Sequence, residues 1–416
     1  MPRSAGFSGS MRTSPDTTAG PAMHVSRICS DLVKINSENP PGKTSEVIEY
    51  IRSFLDGIGI RSRVYGDDRG MCNLVTDPAR RRLILSGHVD VVPARDAAWT
   101  YPPFSGRIDK KYVHGRGSTD MKGGCASVLS ACEMMADAGQ DIPATLLFVC
   151  DEETGGENGI RRILADRILA PADCVIAEPT PCRSPAIGQK GLCRFELEFT
   201  GVPAHGSLYP AVGTSAIMEA VSLIEYVHSL HTRDFPVSRK LEEILDRSAD
   251  VMRSEFSFKG GTDILRHLTY NPGTIRGGEK SNVVAEHCVL ELEMRVPWGC
   301  PLSDLKSDIM AHARNAKVVL EESHEPSMTD PSGTLVTTTC QEIRKVWGGE
   351  VFPFVQWAAS DARHLRLHGF SVLEYGPGEI KTLHAVDERV TIESLEKASL
   401  VYRGIMERYA GMDSNA

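Results

Sequence analysis

Apolar residues recur at helical spacing from about Val25 to Lys34, and the turn-rich NSENPPG at Asn36–Gly42 ends that helix. The next segment, TSEVIEYIRSFLDGIG, sets Val47, Ile48, Ile51, Phe54 and Leu55 on one stripe, with Thr44 as its N-cap. RSRVY and CNLVT read as short strands. RRLILSGHVDVV follows, in which Leu83, Ile84 and Leu85 form a compact apolar run that breaks off at Ser-Gly-His. A buried parallel strand reads this way, with its C-terminal end delivering polar residues to a crevice.

The same unit recurs. MKGGCASVLSACEMMADAG is a helix, ATLLFVC a buried strand ending in Asp151-Glu152-Glu153, and DCVIA a strand ending in Glu178. Strands alternating with helices predict an α/β domain whose mostly parallel sheet is flanked by helices. Three strands thereby carry His or carboxylate residues to one sheet edge.

After about Gly188 the texture changes. CRFELEFTGV alternates apolar and polar positions, as a half-exposed antiparallel strand does. A helix near 214–229, a charged helical stretch, strands in NVVAEHCVLELEMRV, a helix near 301–315 and the strand KVVLEE complete a smaller α+β domain. From about Asp330 the α/β pattern resumes with a long helix, the strand SVLEY, a loop holding His384 and a final helix. The expected organisation is a tail over 1–22, a metal-binding catalytic domain over 23–187 and 328–410, and an inserted domain over 188–327. The tail, rich in Ser, Thr, Gly and Pro, reads as disordered, and Met23 as a possible start.

A chain of 416 residues is long enough for two such cores. The net charge of −9, with both signs mixed along the chain, argues against a nucleic-acid partner, which calls for a basic face. No apolar run reaches the roughly 20 residues of a membrane helix, and the N-terminus has no apolar signal region. Eleven cysteines scattered singly read as reduced thiols, so a cytoplasmic location is expected.

The candidate metal ligands are His88, Asp120, Glu153, Glu178 and His384, with Asp90 two residues after His88 placed to orient its imidazole. Singly, each has an ordinary reading as a structural His or a solvated carboxylate. Together they set several acidic groups at one sheet edge, where mutual repulsion would raise their pKa values or weaken the fold unless divalent cations were bound. Two His with three carboxylates suit zinc, cobalt or manganese better than calcium. In DEETGG, Glu153 can bind metal while Glu152 accepts a proton from water.

The segments LSGHVDVVP, the W-x3-PF of Trp99, Pro103 and Phe104, GRGSTDMKGG, DEETGG, AEPT and TLHAVDE occur in order over nearly the whole chain after Met23. Together they resemble the M20 family of metallopeptidases and deacylases, most of all its acetylornithine deacetylase and succinyl-diaminopimelate desuccinylase group. The resemblance implies a zinc-exopeptidase-like fold and two metal ions, zinc or alternatively cobalt or manganese. It implies that His88 and Glu178 hold one ion, Glu153 and His384 the other, and that Asp120 bridges them, with a cis peptide at Asp120-Met121. It further implies Glu152 as general base and the inserted domain as a lid and dimerisation domain. His205 in GVPAHGS would stabilise the oxyanion, often from the partner of a homodimer, and Asn282, Arg295 and Arg363 would contact the substrate.

The implied reaction is cleavage of a linear amide in a small N-acyl amino acid of the N-succinyl-diaminopimelate or N-acetylornithine type. Trp357-Ala358-Ala359 replaces the Gly-Thr-Ser common in desuccinylases, which leaves the acyl group open. A dipeptidase or carboxypeptidase with the same metal core and a non-catalytic metal-dependent binding module are the alternatives.

Overall fold

The computed structural model describes residues 21–76, 81–95 and 98–413; residues 1–20, the bulk of the expected tail, lie outside them. Its main sheet has nine strands. The central strands Leu83–His88, Ala144–Val149 and Asp173–Ile176 are parallel, and Ser371–Glu374 joins them in parallel beside Asp173–Ile176. Leu83–His88 and Ala144–Val149 are buried along their whole length, which explains their unbroken apolar runs. Antiparallel strands close both flanks, Ser62–Gly66 and Cys72–Thr76 on one side and Ala186–Gln189 with Ser327–Met328 on the other.

Helices Pro21–Lys34, Lys122–Asp137 and Ile392–Asp413 pack on one another, and Lys122–Asp137 also packs on Leu83–His88. Lys122 is fully buried at the start of its helix and donates to the carbonyls of Leu32 and Ile35 at 3.1 and 2.7 Å. Both carbonyls lie at the C-terminal end of the first helix, where Leu32 O also accepts from Ile35 N at 3.2 Å, so the lysine helps to cap it. At Gly124 a Cβ would stand 2.0 Å from the Ala177 carbonyl, so only glycine lets this helix approach the strand end that carries Glu178. Thr44 precedes the helix Ser45–Gly57 but makes no capping bond. Its hydroxyl is taken by Cys72, donating to the carbonyl and accepting from the N–H, so it fastens the helix start to a strand.

A second core lies in an antiparallel sheet of Thr269–Gly277, His287–Val296, Gly191–Thr200 and Ala316–His324, in that order. Phe195, Leu197, Phe199, Leu290, Leu292 and Met294 fill it beneath the helices Ala216–Leu230 and Leu302–His312. Ser215 and Ser238 cap the helices that follow them, accepting from Met218 and Leu241 N–H groups. The helix Arg239–Glu255 turns instead to the first core through Leu245, Ala249 and Met252. Thr269–Gly277, whose Asn-Pro-Gly hides its strand character, and a small sheet of Arg107–Ile108, Tyr112–His114 and Arg389–Thr391 are elements that periodicity does not mark. No helix among the described residues is long and apolar enough to cross a membrane.

Candidate metal centre

The parallel strands end on the residues the sequence singles out. His88 is the last residue of its strand, Glu178 stands two residues past Asp173–Ile176, and Glu152-Glu153-Thr154 forms a single 3-10 turn shortly after Ala144–Val149. Asp151 turns the chain into it with φ 73°, and Asp120 lies just before the helix Lys122–Asp137, with the Asp120-Met121 peptide cis. His384 comes from the loop between Ser371–Glu374 and Arg389–Thr391.

Asp120 stands between two histidines. Its Oδ1 is 3.1 Å from His88 Nε2, and its Oδ2 is 3.0 Å from His384 Nε2. Glu178 Oε1 lies 3.7 Å from His88 Nε2, and Glu153 Oε2 lies 3.4 Å from His384 Nε2. Glu152 joins His88 and Glu178 in one group whose ligand atoms fall within 4.8 Å, and His88, Asp120 and Glu153 form another. The structure thus brings together all five candidate ligands and Glu152. His88 is buried, the four carboxylates are partly so, and His384 forms the exposed lip.

Burial drives the carboxyls of Glu152 and Glu178 well above the usual range, and that of Glu153 above it, with neighbouring carboxylates adding to the effect and His88 opposing it. Burial opposes charge on His88, but Glu178, Asp120 and Asp90 outweigh it and raise its pKa well above the ordinary value. The Asp120 and Glu153 carboxylates raise His384 to about 10. Among the described residues, Asp120, Glu152, Glu153 and Glu178 have no Lys or Arg in an ion pair, and Glu153 Oε1 is buried without a hydrogen-bond partner. Imidazole nitrogens and carboxylate oxygens crowded together, without Lys or Arg and with an orphaned oxygen, fit divalent ions of the zinc, cobalt or manganese type.

Asp90 behaves differently from a simple partner of His88. His88 Nδ1 lies 3.0 Å from the backbone oxygen of Asp90 and 3.5 Å from its carboxylate. The carboxylate faces the 3-10 turn, accepting from Glu152 N at Oδ1 and Glu153 N at Oδ2, each at 3.2 Å. Asn39 supports it from the NSENPPG loop, donating to Asp90 Oδ2 at 2.9 Å and Asp151 Oδ1 at 3.0 Å. Asn39 escapes sequence reading because its loop carries only turn signals. Asp361 also escapes: it is buried next to the turn, and burial lifts its carboxyl to about 7.

The remaining candidates lie apart from this cluster. His205 bonds within its own loop, to Ser207 Oγ at 2.8 Å, and bridges to Val283 beside Asn282, whose carbonyl accepts from Gly206 N. Arg295 pairs with Glu293 at 2.8 Å in the antiparallel sheet. Arg363 stands nearer, 4.0 Å from Glu322 and electrostatically felt by Asp361, with its Nε buried and unpartnered.

The family model described as peptidase family M20/M25/M40 matches residues 84–408. A succinyl-diaminopimelate desuccinylase from Marinobacter nauticus is 28% identical over 338 residues, covering 78% of this chain and 82% of the relative. A probable carboxypeptidase from Arthroderma gypseum is 29% identical over 361 residues, covering 80% and 71%. Among solved structures, an M20 family metallo-carboxypeptidase from Sulfolobus solfataricus superposes with a TM-score of 0.75 at 18% identity, over 92% of this chain and 99% of that one. Human carnosine dipeptidase 1 superposes with a TM-score of 0.69 at 16% identity, over 94% and 97%.

Proposed function

The chain belongs to the peptidase family M20/M25/M40 and is a metal-dependent hydrolase of amide bonds, and from that premise we propose that it deacylates a small N-acyl amino acid. The substrate class is of the N-succinyl-diaminopimelate or N-acetylornithine type, and two zinc ions are the cofactor, with cobalt or manganese as substitutes. The observation that carries this reading is Asp120 set between His88 and His384, each histidine with its own glutamate. His88 and Glu178 would hold one ion, Glu153 and His384 the other, and Asp120 both. When bound, such ions polarise the scissile carbonyl and make water a better nucleophile.

The chain's own groups do the rest. Glu152, beside His88 and Glu178, takes the proton of the attacking water and delivers it to the leaving nitrogen, so the products are a carboxylate and a free amine. Asp90, through the two amides it accepts, keeps Glu152 and Glu153 on their separate tasks. His205, which lies apart from the cluster, would donate to the oxyanion as a lid residue, on closure or from the partner of a homodimer. Arg363, whose Nε lacks a partner, offers a fork to the substrate carboxylate, with Arg295 and Asn282 contributing from the inserted region.

Residues 188–327 act as the lid and as the contact of a homodimer. Val202, Leu208, Val212 and Val283 are exposed there, an apolar surface that a second copy would cover. Eleven free thiols fit a reducing, cytoplasmic setting.

A dipeptidase or carboxypeptidase with the same metal core is the second reading, supported by the probable carboxypeptidase from Arthroderma gypseum. The test is amine release by the zinc- or cobalt-loaded protein from N-succinyl-diaminopimelate, N-acetylornithine, other N-acyl amino acids and dipeptides. Metal-dependent preference for one acyl amino acid is expected. Preference for dipeptides would replace the deacylase reading with the second one, and inertness toward the whole panel would sink both.

A further inference from the structure

Glu388 is completely buried, yet it is neither a candidate ligand nor near the surface. Its Oε1 accepts from the backbone N–H of Thr119 at 2.9 Å and of Asp120 at 3.0 Å. Its Oε2 accepts from Arg116 Nη1, and the other arm of that guanidinium, Nη2, donates to the backbone oxygen of His384 at 3.3 Å. Arg116 is also buried. Its N–H donates to Pro103 O at 2.8 Å, and its guanidinium lies 5.3 Å from the centre of the Trp99 ring. The W-x3-PF segment, which no catalytic role absorbs, is thus the buttress of this arginine. Asp120 and His384 are 264 residues apart in sequence and face each other at 3.0 Å. One carboxylate and one guanidinium span that separation behind them.

We infer that the buried Glu388–Arg116 pair is a positioning device that holds Asp120 and the His384 loop in register, so that the His384–Glu153 half of the metal centre reaches full affinity only while the pair is intact. Glu388 fixes the backbone of the shared ligand, and Arg116 fixes the backbone of the ligand on the exposed lip. The other half needs less help, because His88 and Glu178 hang from strands that the core already fixes. The pair touches no metal, and partners behind ligands are commonly worth about 10–100-fold in metal affinity.

This inference rests on the two-metal reading, and its test separates the two. Metal-free full-length protein receives cobalt stepwise, and the visible absorption of each equivalent gives its affinity; thermal melting of the metal-free protein is recorded alongside. The variants are Arg116→Met, Arg116→Lys and the milder Glu388→Gln, which keeps the shape and an acceptor for the two amides. The expected result is two equivalents in the parent protein, with the second weakened about 10–100-fold in Arg116→Met and Glu388→Gln and the first, which shares Asp120, weakened by less. Arg116→Lys should recover part of the loss, because an ammonium can still reach Glu388. Two equivalents bound at parental affinity in Glu388→Gln would overturn the inference. So would equal loss of both equivalents together with a lower melting temperature, since that would make the pair a general support of the fold. A parent protein that binds fewer than two equivalents would overturn the two-metal reading itself and this inference with it.

Discussion

The side-chain amide of Asn39 donates to Asp90 Oδ2 at 2.9 Å, and the same nitrogen reaches Asp151 Oδ1 at 3.0 Å. The loop after the first helix is thereby tied to the ends of two buried strands. Because Asp90 also accepts the amides of Glu152 and Glu153, the bond lies one step behind the proposed general base.

Replacing Asn39 by Ala leaves two buried carboxylates one donor short. Both oxygens keep another donor, so the loss is that of hydrogen bonds to charged groups, worth about 1.5–3 kcal/mol; urea unfolding of Asn39→Ala should show a loss of that size, with a lower kcat. Unchanged stability would mean that water replaces the amide without cost and that Asn39 positions nothing.

Glu152→Gln keeps the volume of the side chain and removes its capacity to take a proton. Turnover should fall by about 10²–10⁴-fold, the usual worth of a positioned acid–base group, while metal content by elemental analysis stays at the parental stoichiometry. A variant that lost metal instead would make Glu152 a ligand, and one that kept its rate would remove it from the chemistry.

Removing the metal should expose the crowding of Asp120, Glu152, Glu153 and Glu178 directly. Ions that bind only the folded chain stabilise it by about 4 kcal/mol at 1,000 times their Kd, so chelation should lower the melting temperature by several degrees as well as abolish turnover. Zinc should restore both. Equal melting with and without metal would show that the cluster is stable through its own protonation.

Much of this centre is legible in the sequence because buried parallel strands announce themselves. Apolar runs such as LIL and LLFV that break off just before Gly-His or Asp-Glu-Glu fix both a strand and the edge at which it ends, and the edge is where His88, Glu152, Glu153 and Glu178 meet. Asn39, Arg116 and Glu388 are not legible in the same way. Each acts through groups of residues that are distant in sequence, side-chain oxygens for Asn39 and backbone groups for Arg116 and Glu388, a relation that leaves no periodicity. Asp90 illustrates the limit: its spacing from His88 points to the imidazole, whereas its carboxylate turns to two amides that only the folded Glu152–Thr154 turn presents. Thr269–Gly277 is hidden for another reason, since Pro272 and Gly273 sit at a bulge in an outer strand, where such residues are tolerated.

His205→Ala tests the proposed oxyanion donor. The residue is exposed and its hydrogen bonds stay with Ser207, so the fold should be indifferent to its loss. Removal of one donor of this kind commonly costs about 10²–10³-fold in kcat, and KM should change little. A selective rise in KM would make His205 a substrate-binding group, and wild-type kinetics would remove it from the site.

Lys190 links the first core to the second, at the junction of Ala186–Gln189 and Gly191–Thr200, and its buried ammonium donates to Ile264 O, His267 O and Thr269 Oγ1 at 2.6, 2.7 and 3.1 Å. Burial lowers its pKa to about 7, against about 10.4 in an unfolded chain. Between those values the unfolded chain binds a proton that the folded chain does not, so this group makes stability rise with pH across that window. Below about pH 7 both states are charged and the cost of burying the charge is felt in full. Lys190→Met removes the titration, and the carbonyls it orphans cost the same at every pH. The stability of the parent relative to the variant, from urea unfolding at pH 7, 8 and 9, should therefore grow as pH rises. Other groups titrate alike in both proteins and cancel in the difference. A difference that stays flat across the window would mean that the three acceptors hold Lys190 charged throughout, and that the junction carries a permanent cation.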